Sequence, residues 1–365
     1  METVMGSGER RATLRSVADA VGVSRTTVSN AYNCPERVSP GLLEQILDAA
    51  TRLGYSGPDP LARKLRTGVK SSVGVVFTDA LPYAFKDEAA AGFLQGVALA
   101  VEQAQTSMLL IPAGPESDGG PEQIAMSTVD SLVVYGVPEG APYMREILAK
   151  RVPVVIVDGA TDVPGVDVVG LDQVSASALT ARHLAALGHL EVGVLCHRLS
   201  DQVYVGHVDG ARLTRATYTV QRERVLGFAQ EFQRVTGGRG VVRIAERVVS
   251  DLDSGISGAS AILRDFPDVT AIACTCDMLA LGVLYAAQQL GLSVPDDLSV
   301  TGFDDIPSAL PAGLTTIWQP LQDKGRVAGE MVLGHASERG GRKQLLPTKL
   351  QIRGTTGPVA AAKRR

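Results

Sequence analysis

Five side chains able to hydrogen-bond fall within six residues of one short segment, SRTTVSNAYN: Arg25, Thr26, Thr27, Ser29 and Asn30. An arginine fork matches the O6 and N7 of guanine, an asparagine amide matches the N6 and N7 of adenine, and a threonine can bond a base edge or touch a thymine methyl. Thr13, Ser24 and Ser29 suit phosphate oxygens, which position a protein on a duplex without reading its sequence. A second set of polar residues stands where apolar runs end: Asp79 after VGVVFT, Tyr135 closing SLVVY, Asp158 closing VVIVD, Asp277 beyond TAIAC, and Asp304-Asp305 after LSVTGF. Carboxylates there can accept from ligand hydroxyls or ring heteroatoms, and in principle can serve acid–base catalysis. No nucleophile or base partner accompanies them. Plainer duties also fit: a helix N-cap for Asp277 and turn formation for Asp304-Asp305.

Other chemistry is excluded by spacing. The five histidines (His183, His189, His197, His207, His335) contain no i,i+4 pair and no HExxH. Cys274-x-Cys276 has no second Cys or His pair nearby, so it reads as two small residues at a buried strand end and no metal is expected. A Walker loop, a GxGxxG after a strand and a GxSxG elbow are all missing, so neither a cofactor nor an enzyme activity is expected. The four cysteines are too scattered for a disulfide framework, which fits reduced thiols and a cytoplasmic setting. METVMGSGERR has no apolar core of a signal peptide, and no apolar run is long enough to span a membrane.

The elements that must hold these residues follow from pattern. Thr13 caps a helix over Leu14 to Val21, Gly22 breaks it, and Ser24 caps a second over Arg25 to Tyr32 with Val28 and Ala31 inward. Ser39-Pro40 starts a third, with Leu42, Ile46, Ala49 and Leu53 as its apolar stripe. Two short helices joined by a tight turn form a helix-turn-helix, whose second helix lies in a major groove. From Val73 onward short β-branched runs alternate with amphipathic stretches, the pattern of parallel strands covered on both faces. This predicts an α/β protein: a three-helix head and a doubly wound, two-lobed body. The expected domains are a tail (1–10), a head (11–57), a hinge segment and linker (58–71), a body (72–354) and a second tail (355–365). Of the 365 residues, 45% are hydrophobic and only 4% aromatic, so aliphatic side chains must build the core. Residues 1–70 hold ten Lys or Arg against seven Asp or Glu, a net of +3, which leaves −7 for the rest of a chain of net −4. A basic head on an acidic body points to a polyanion at the head alone.

The segments "TLRSVADAVGVSRTTVSNAYN…VSP…ILDAATRLGY", "DPLARKLRTG", "CDMLALGVL", "VPDDLSVTGFDD" and "LTTIWQP" resemble, in order, the signatures of the LacI/GalR transcriptional regulators, from about Thr13 to Arg353. The resemblance implies a repressor that binds a near-palindromic double-stranded DNA operator as a homodimer. Its body is similar to periplasmic sugar-binding proteins, with a small-molecule effector, a sugar or related metabolite, between the lobes. It implies a hinge helix whose Leu65 wedges into the minor groove, with Ala62 small enough for close approach and Arg63, Lys64 and Arg66 at phosphates. The spacing from Tyr55 to Leu65 is one residue longer than the commonest in the family. Motif by motif, Arg224 in "RERVLGF" and Asp277 in "CDMLALG" fall on ligand-holding positions, and Asp158 closes a strand lining the cleft. Trp318 either stacks on the ligand or packs between lobes. The long segment 199–221 is either a lid or a surface insert. Two rival readings stand beside this one: a soluble small-molecule receptor without a DNA role, against which the missing signal peptide and the head weigh, and an α/β enzyme with an accessory helical domain, which turnover dependent on Asp277 would reveal.

Overall fold

The computed structural model describes residues 12–57, 72–114, 120–159, 163–334 and 341–359. The chain divides into two compact units, Met1–Lys70 and Ser71–Arg365. In the first, α1 (Leu14–Val21) opens with a capping box: the Thr13 hydroxyl accepts from Ser16 N while Ser16 Oγ accepts from Thr13 N at 2.7 Å. Gly22 closes the helix at φ 72°, a left-handed conformation that a side chain resists, and turns the chain sharply into α2 (Arg25–Asn33). α3 (Pro40–Leu53) completes the head. Val17, Ala18, Val28, Ala31, Ile46, Ala49 and Ala50 form its core, closed by an edge-on Tyr32–Tyr55 pair at 5.9 Å. Two details depart from expectation. The Ser39 side chain makes no capping bond, and Leu53 is exposed while Ala50 is buried, because the inward stripe of α3 turns away from its last residue. The hinge segment, with Ala62, Arg63, Leu65 and Arg66, lies outside the described residues.

In the second unit the strands are β1 (Ser72–Phe77), β2 (Ser107–Pro112), β3 (Ser131–Tyr135), β4 (Val154–Val157), β5 (Asp167–Leu171), β6 (Glu191–His197), β7 (Gly206–His207), β8 (Val241–Arg247), β9 (Ala271–Cys274), β10 (Ser299–Asp304), β11 (Thr315–Trp318), β12 (Lys343–Leu346) and β13 (Lys349–Gln351). One sheet has the order β12-β5-β4-β3-β1-β2, all parallel; the other has the order β13-β11-β10-β9-β6-β8-β7, with antiparallel edges. Helices cover the faces, so central strands such as β3 and β4 bury nearly every side chain. The chain crosses between the lobes three times: from β5 into helix Gln173–Ala186, from β11 into helix Leu321–Leu333, and from β12 into β13. Helix Leu321–Leu333 packs on helix Glu88–Gln103 through glycines: a Cβ at Gly96 would collide with the Gln322 carbonyl, and one at Gly325 with that of Phe93.

The sequence pattern misses three strands. β5 is a short DVVGL with a glycine inside, and β7 has only two residues. β8 begins exposed and carries Arg243 and Glu246, which hide its apolar period. Near the end of the body two short strands, β12 and β13, follow one another closely and belong one to each lobe.

His189 ties the C-terminal segment to the second lobe. The Gly357 carbonyl, 3.2 Å away, can only accept, so Nε2 carries the proton, while Nδ1 faces the Thr270 hydroxyl at 2.8 Å. Burial pushes its pKa down to about 4. The unfolded state therefore binds a proton that the folded state refuses, and stability falls as pH drops from 6.5 towards 4. Replacing His189 with Gln removes about 1.4 kcal/mol per pH unit from that slope, measurable by urea unfolding at several pH values.

Candidate functional site

On α2, Arg25 and Thr26 are exposed and Ser29 and Asn30 half-buried, while Val28 and Ala31 face the core. The spacing 25, 26, 29, 30 places the four on one outward arc. Arg25, Thr26 and Asn30 spend no side-chain hydrogen bond on the described protein, which leaves them available. Ser24 caps α2 by accepting from Thr27 N and pairs with the Thr27 hydroxyl at 2.8 Å. Ser29 accepts from Asn33. Thr13, Ser24, Thr27 and Ser29 thus shape the helix ends, and Arg25, Thr26 and Asn30 project from them.

A cavity of about 290 Å³ lies between the two lobes of the body. Its wall is assembled from the carboxyl ends of strands, the place where open α/β sheets bind ligands. β1 leads to Thr78 and Asp79, β3 ends at Tyr135, β4 leads to Asp158, β6 ends at His197, β8 leads to Ser250, and β10 ends at Asp304. Helix Thr219–Val235 adds Gln221 and Arg224. The backbone is strained here. Asp158 (φ 49°), Arg198 (φ 31°) and Asp304 (φ 124°) line the cavity in left-handed conformations, and Asp305 (φ 55°) adjoins it. Strain held in this way concentrates at functional sites.

The floor is a closed ring of buried polar groups. Arg224 donates from Nε to Gln173 at 2.9 Å and from Nη1 to the Thr275 carbonyl at 2.6 Å and Asp304 at 3.3 Å, with its guanidinium 3.6 Å from the Phe303 ring. Gln319 donates to Asp304 and accepts from Lys324; Lys324 pairs with Asp158; Gln173 donates to Asp158 at 3.4 Å. Gln173 and Gln319 sit on two of the interlobe crossings, so the ring spans the joint on which the lobes would move. Burial raises the Asp304 carboxyl to about 6 against the opposing pull of Arg224. Tyr135 is stacked between Phe77 and Phe93, at 5.6 and 4.3 Å.

Above the floor the lobes meet directly. Arg198 pairs with Asp79 at 2.6 Å, the Tyr83 hydroxyl donates to the Ser250 carbonyl at 3.2 Å, and Arg222 grips Glu139 with two nitrogens. The segment 199–221 is folded onto the second lobe by β7 and by Arg212, which pairs with buried Glu246. Its last residues, Tyr218 to Gln221, wall the cavity.

Four of the six residues expected at the ligand line this cavity: Asp79, Tyr135, Asp158 and Arg224. Asp277 and Trp318 do not. Asp277 is fully buried, accepting from Ile306 N at 2.9 Å and from the Thr316 hydroxyl, and its neighbour Cys276 reaches the cavity instead. It is also the first residue of its helix rather than the cap, which is Cys276. Burial and the nearby Asp304 hold the Asp277 carboxyl well above its usual range. Trp318 ends β11 with Lys349 Nζ 5.0 Å from its ring, and Gln319 is the lining residue. Arg198, Cys276 and Gln319, which follow β6, β9 and β11 by one or two residues, also line the cavity, and no sequence pattern marks them as ligand-facing. Ser250 carries no sequence signal, because the mixed pattern of β8 hides the strand that leads to it. Cys274 and Cys276 are buried free thiols, and no cluster able to hold a metal occurs among the described residues. No helix among them is long and apolar enough to cross a membrane.

A helix-turn-helix head joined in one chain to a two-lobed α/β body with an interlobe cavity defines a transcriptional regulator. Residues 13–57 match the model of the bacterial regulatory proteins of the lacI family, and residues 181–356 match a periplasmic binding protein-like domain. The chain is 39% identical over 353 residues to the HTH-type transcriptional regulator Rv3575c of Mycobacterium tuberculosis, covering 96% of this chain and 98% of that one. It is 41% identical over 333 residues to the HTH-type transcriptional regulator IpsA of Corynebacterium glutamicum, covering 90% and 92%. A crystal structure of a LacI-family transcriptional regulator from Corynebacterium glutamicum superposes with a TM-score of 0.70 at 35% identity, covering 98% of this chain and all of that one. The lac repressor dimer bound to operator and anti-inducer shares the fold, with a TM-score of 0.72 at 24% identity over 95% and 100% of the two chains. The chain belongs to the LacI family. It is a DNA-binding transcriptional regulator, not an enzyme.

Proposed function

We propose that the protein is a cytoplasmic homodimeric repressor whose grip on a near-palindromic operator is set by a neutral, polyhydroxylated small molecule in the interlobe cavity. The observation that carries the effector reading is the charge balance of the wall. Four carboxylates line it, Asp79, Asp87, Asp158 and Asp304. The cations beside them, Arg198, Arg224 and Lys324, are already paired to three of these, and Asp87 caps helix Glu88–Gln103. An anion would enter against this balance, whereas hydroxyls can bond to the carboxylates, amides and hydroxyls of the wall. A solved relative of the same fold is described as the CelR–cellobiose complex, which agrees with a sugar-like effector. The molecule acts by preferring one arrangement of the lobes, and shifts DNA affinity only by that difference in affinity. Leu65, with Ala62 small enough for close approach, is the proposed minor-groove contact, and Arg63, Lys64 and Arg66 are the proposed phosphate contacts.

On the head, Arg25, Thr26 and Asn30 read base edges, while Thr13, Ser24, Thr27 and Ser29 set the helix against the backbone. Arg25→Ala is expected to relax discrimination at one operator position by about 1–3 kcal/mol. Competition between operator and single-base variants checks this. Equal weakening on operator and random DNA would assign Arg25 to phosphate instead. A thermal-shift screen of sugars, polyols and nucleosides, followed by operator binding with each hit, tests the effector reading.

A further inference from the structure

Among the side chains lining the cavity, two buried polar atoms have no partner in the described protein, His197 Nδ1 and Gln221 Oε1. Asp79 is held by Arg198, Asp304 by Arg224 and Gln319, Asp158 by Lys324 and Gln173, and the Thr78 hydroxyl by the carbonyls of Tyr135 and Gly136. His197 is the last residue of β6 and Gln221 lies in the first turn of helix Thr219–Val235, so both are presented by the second lobe. Buried polar atoms without partners are rare and costly, and they persist where a ligand satisfies them.

We infer that His197 and Gln221 are the specificity-determining pair of this cavity, and that they select neutral molecules bearing hydroxyl donors over carboxylates and phosphates. The inference rests on the reading of the cavity as an effector site. Gln221 Oε1 can only accept, so its partner must bring a proton on oxygen or nitrogen. A carboxylate or phosphate that is fully ionised has none to give. Burial and the neighbouring Arg198 and Arg224 push the His197 pKa down to about 3, so the imidazole stays neutral through the physiological range. Nδ1 then either accepts or donates according to its tautomer, and a hydroxyl serves in both roles. Two such atoms on residues of one cavity wall would take two hydroxyls of one molecule. A site built in this way rejects a partner lacking the hydroxyl far more strongly than an apolar pocket rejects an extra methylene.

The test compares the full-length protein with His197→Phe and Gln221→Leu, first without additives and then with D-glucose, D-galactose, D-mannitol and D-xylose, and with glucose 6-phosphate and gluconate as anionic counterparts. Without additives each variant is expected to melt at or above the temperature of the parent, because each removes an unsatisfied atom. Melting several degrees lower in both variants would show that these atoms hold the fold, and would overturn the inference. Any neutral probe that stabilises the parent should lose at least about tenfold in affinity in Gln221→Leu, and the anionic probes, which keep hydroxyls but bring a charge into a wall already balanced, should bind the parent more weakly than their neutral counterparts. A neutral probe that binds parent and both variants equally overturns the role of the pair and leaves the cavity reading intact. An anionic probe binding more tightly than its neutral counterpart overturns the selectivity. If no probe moves the parent, that result counts against the cavity reading, and the comparison without additives decides this inference by itself.

Discussion

Arg224→Ala is expected to abolish effector control of DNA binding, at least about a hundredfold loss in effector affinity, while operator binding without effector persists. The guanidinium is 6% exposed and holds Gln173, the Thr275 carbonyl and Asp304 together beneath the cavity. Its removal leaves only Lys324 and the Gln319 amide to oppose burial at Asp304, and that carboxyl, already raised to about 6, rises further and favours its protonated form. An acceptor facing the cavity then becomes a donor. Arg224→Lys should not restore control, because an ammonium cannot reach three acceptors from a planar fork. Operator titration with and without an active small molecule checks both variants. A retained response in Arg224→Ala would remove Arg224 from the effector site.

The second large effect concerns Lys324. Its side chain is 1% exposed, and Nζ donates to Asp158 and Gln319. Lys324→Met leaves Asp158 buried with only the 3.4 Å bond from Gln173. Breaking a buried pair from one side costs about 3–5 kcal/mol, seen as a fall in the melting temperature of the body. Lys324→Met combined with Asp158→Asn removes the orphaned charge, so most of the loss should return. A double variant no more stable than Lys324→Met would show that the charge pairing contributes little. Because Gln319 and Gln173 lie on two interlobe crossings, the single variant should also change the basal operator affinity, which a purely local defect would not.

The sequence was legible where one rule governed one element. Thr13, Gly22, Ser24 and the inward Val28 and Ala31 suffice to place the first two helices, because caps and helical periodicity are local. β-branched runs identify the central strands because both their faces are buried. The rule that ligands sit beyond strand ends brings Asp79, Tyr135 and Asp158 to the cavity. It does not separate Asp277 from Asp304. Both carboxylates follow strands, and only tertiary contact, Ile306 N and the Thr316 hydroxyl on one and Arg224 on the other, shows which is consumed by the fold. His197 and Gln221 carry no sequence signal. Their meaning lies in partners they lack, and only the packed structure reveals that.

The central claim is that occupancy of the interlobe cavity governs duplex binding by the head. The most direct measurement selects a preferred duplex from a random pool with the full-length protein, then titrates that duplex by fluorescence anisotropy at fixed moderate salt, with and without each sugar or polyol that raises the melting temperature. The account predicts a strong preference over competitor DNA, and a change in affinity of about tenfold or more with at least one such molecule, lost in Arg224→Ala. No preference for any duplex, or a preferred duplex whose affinity is unmoved by every molecule that binds the body, would contradict it.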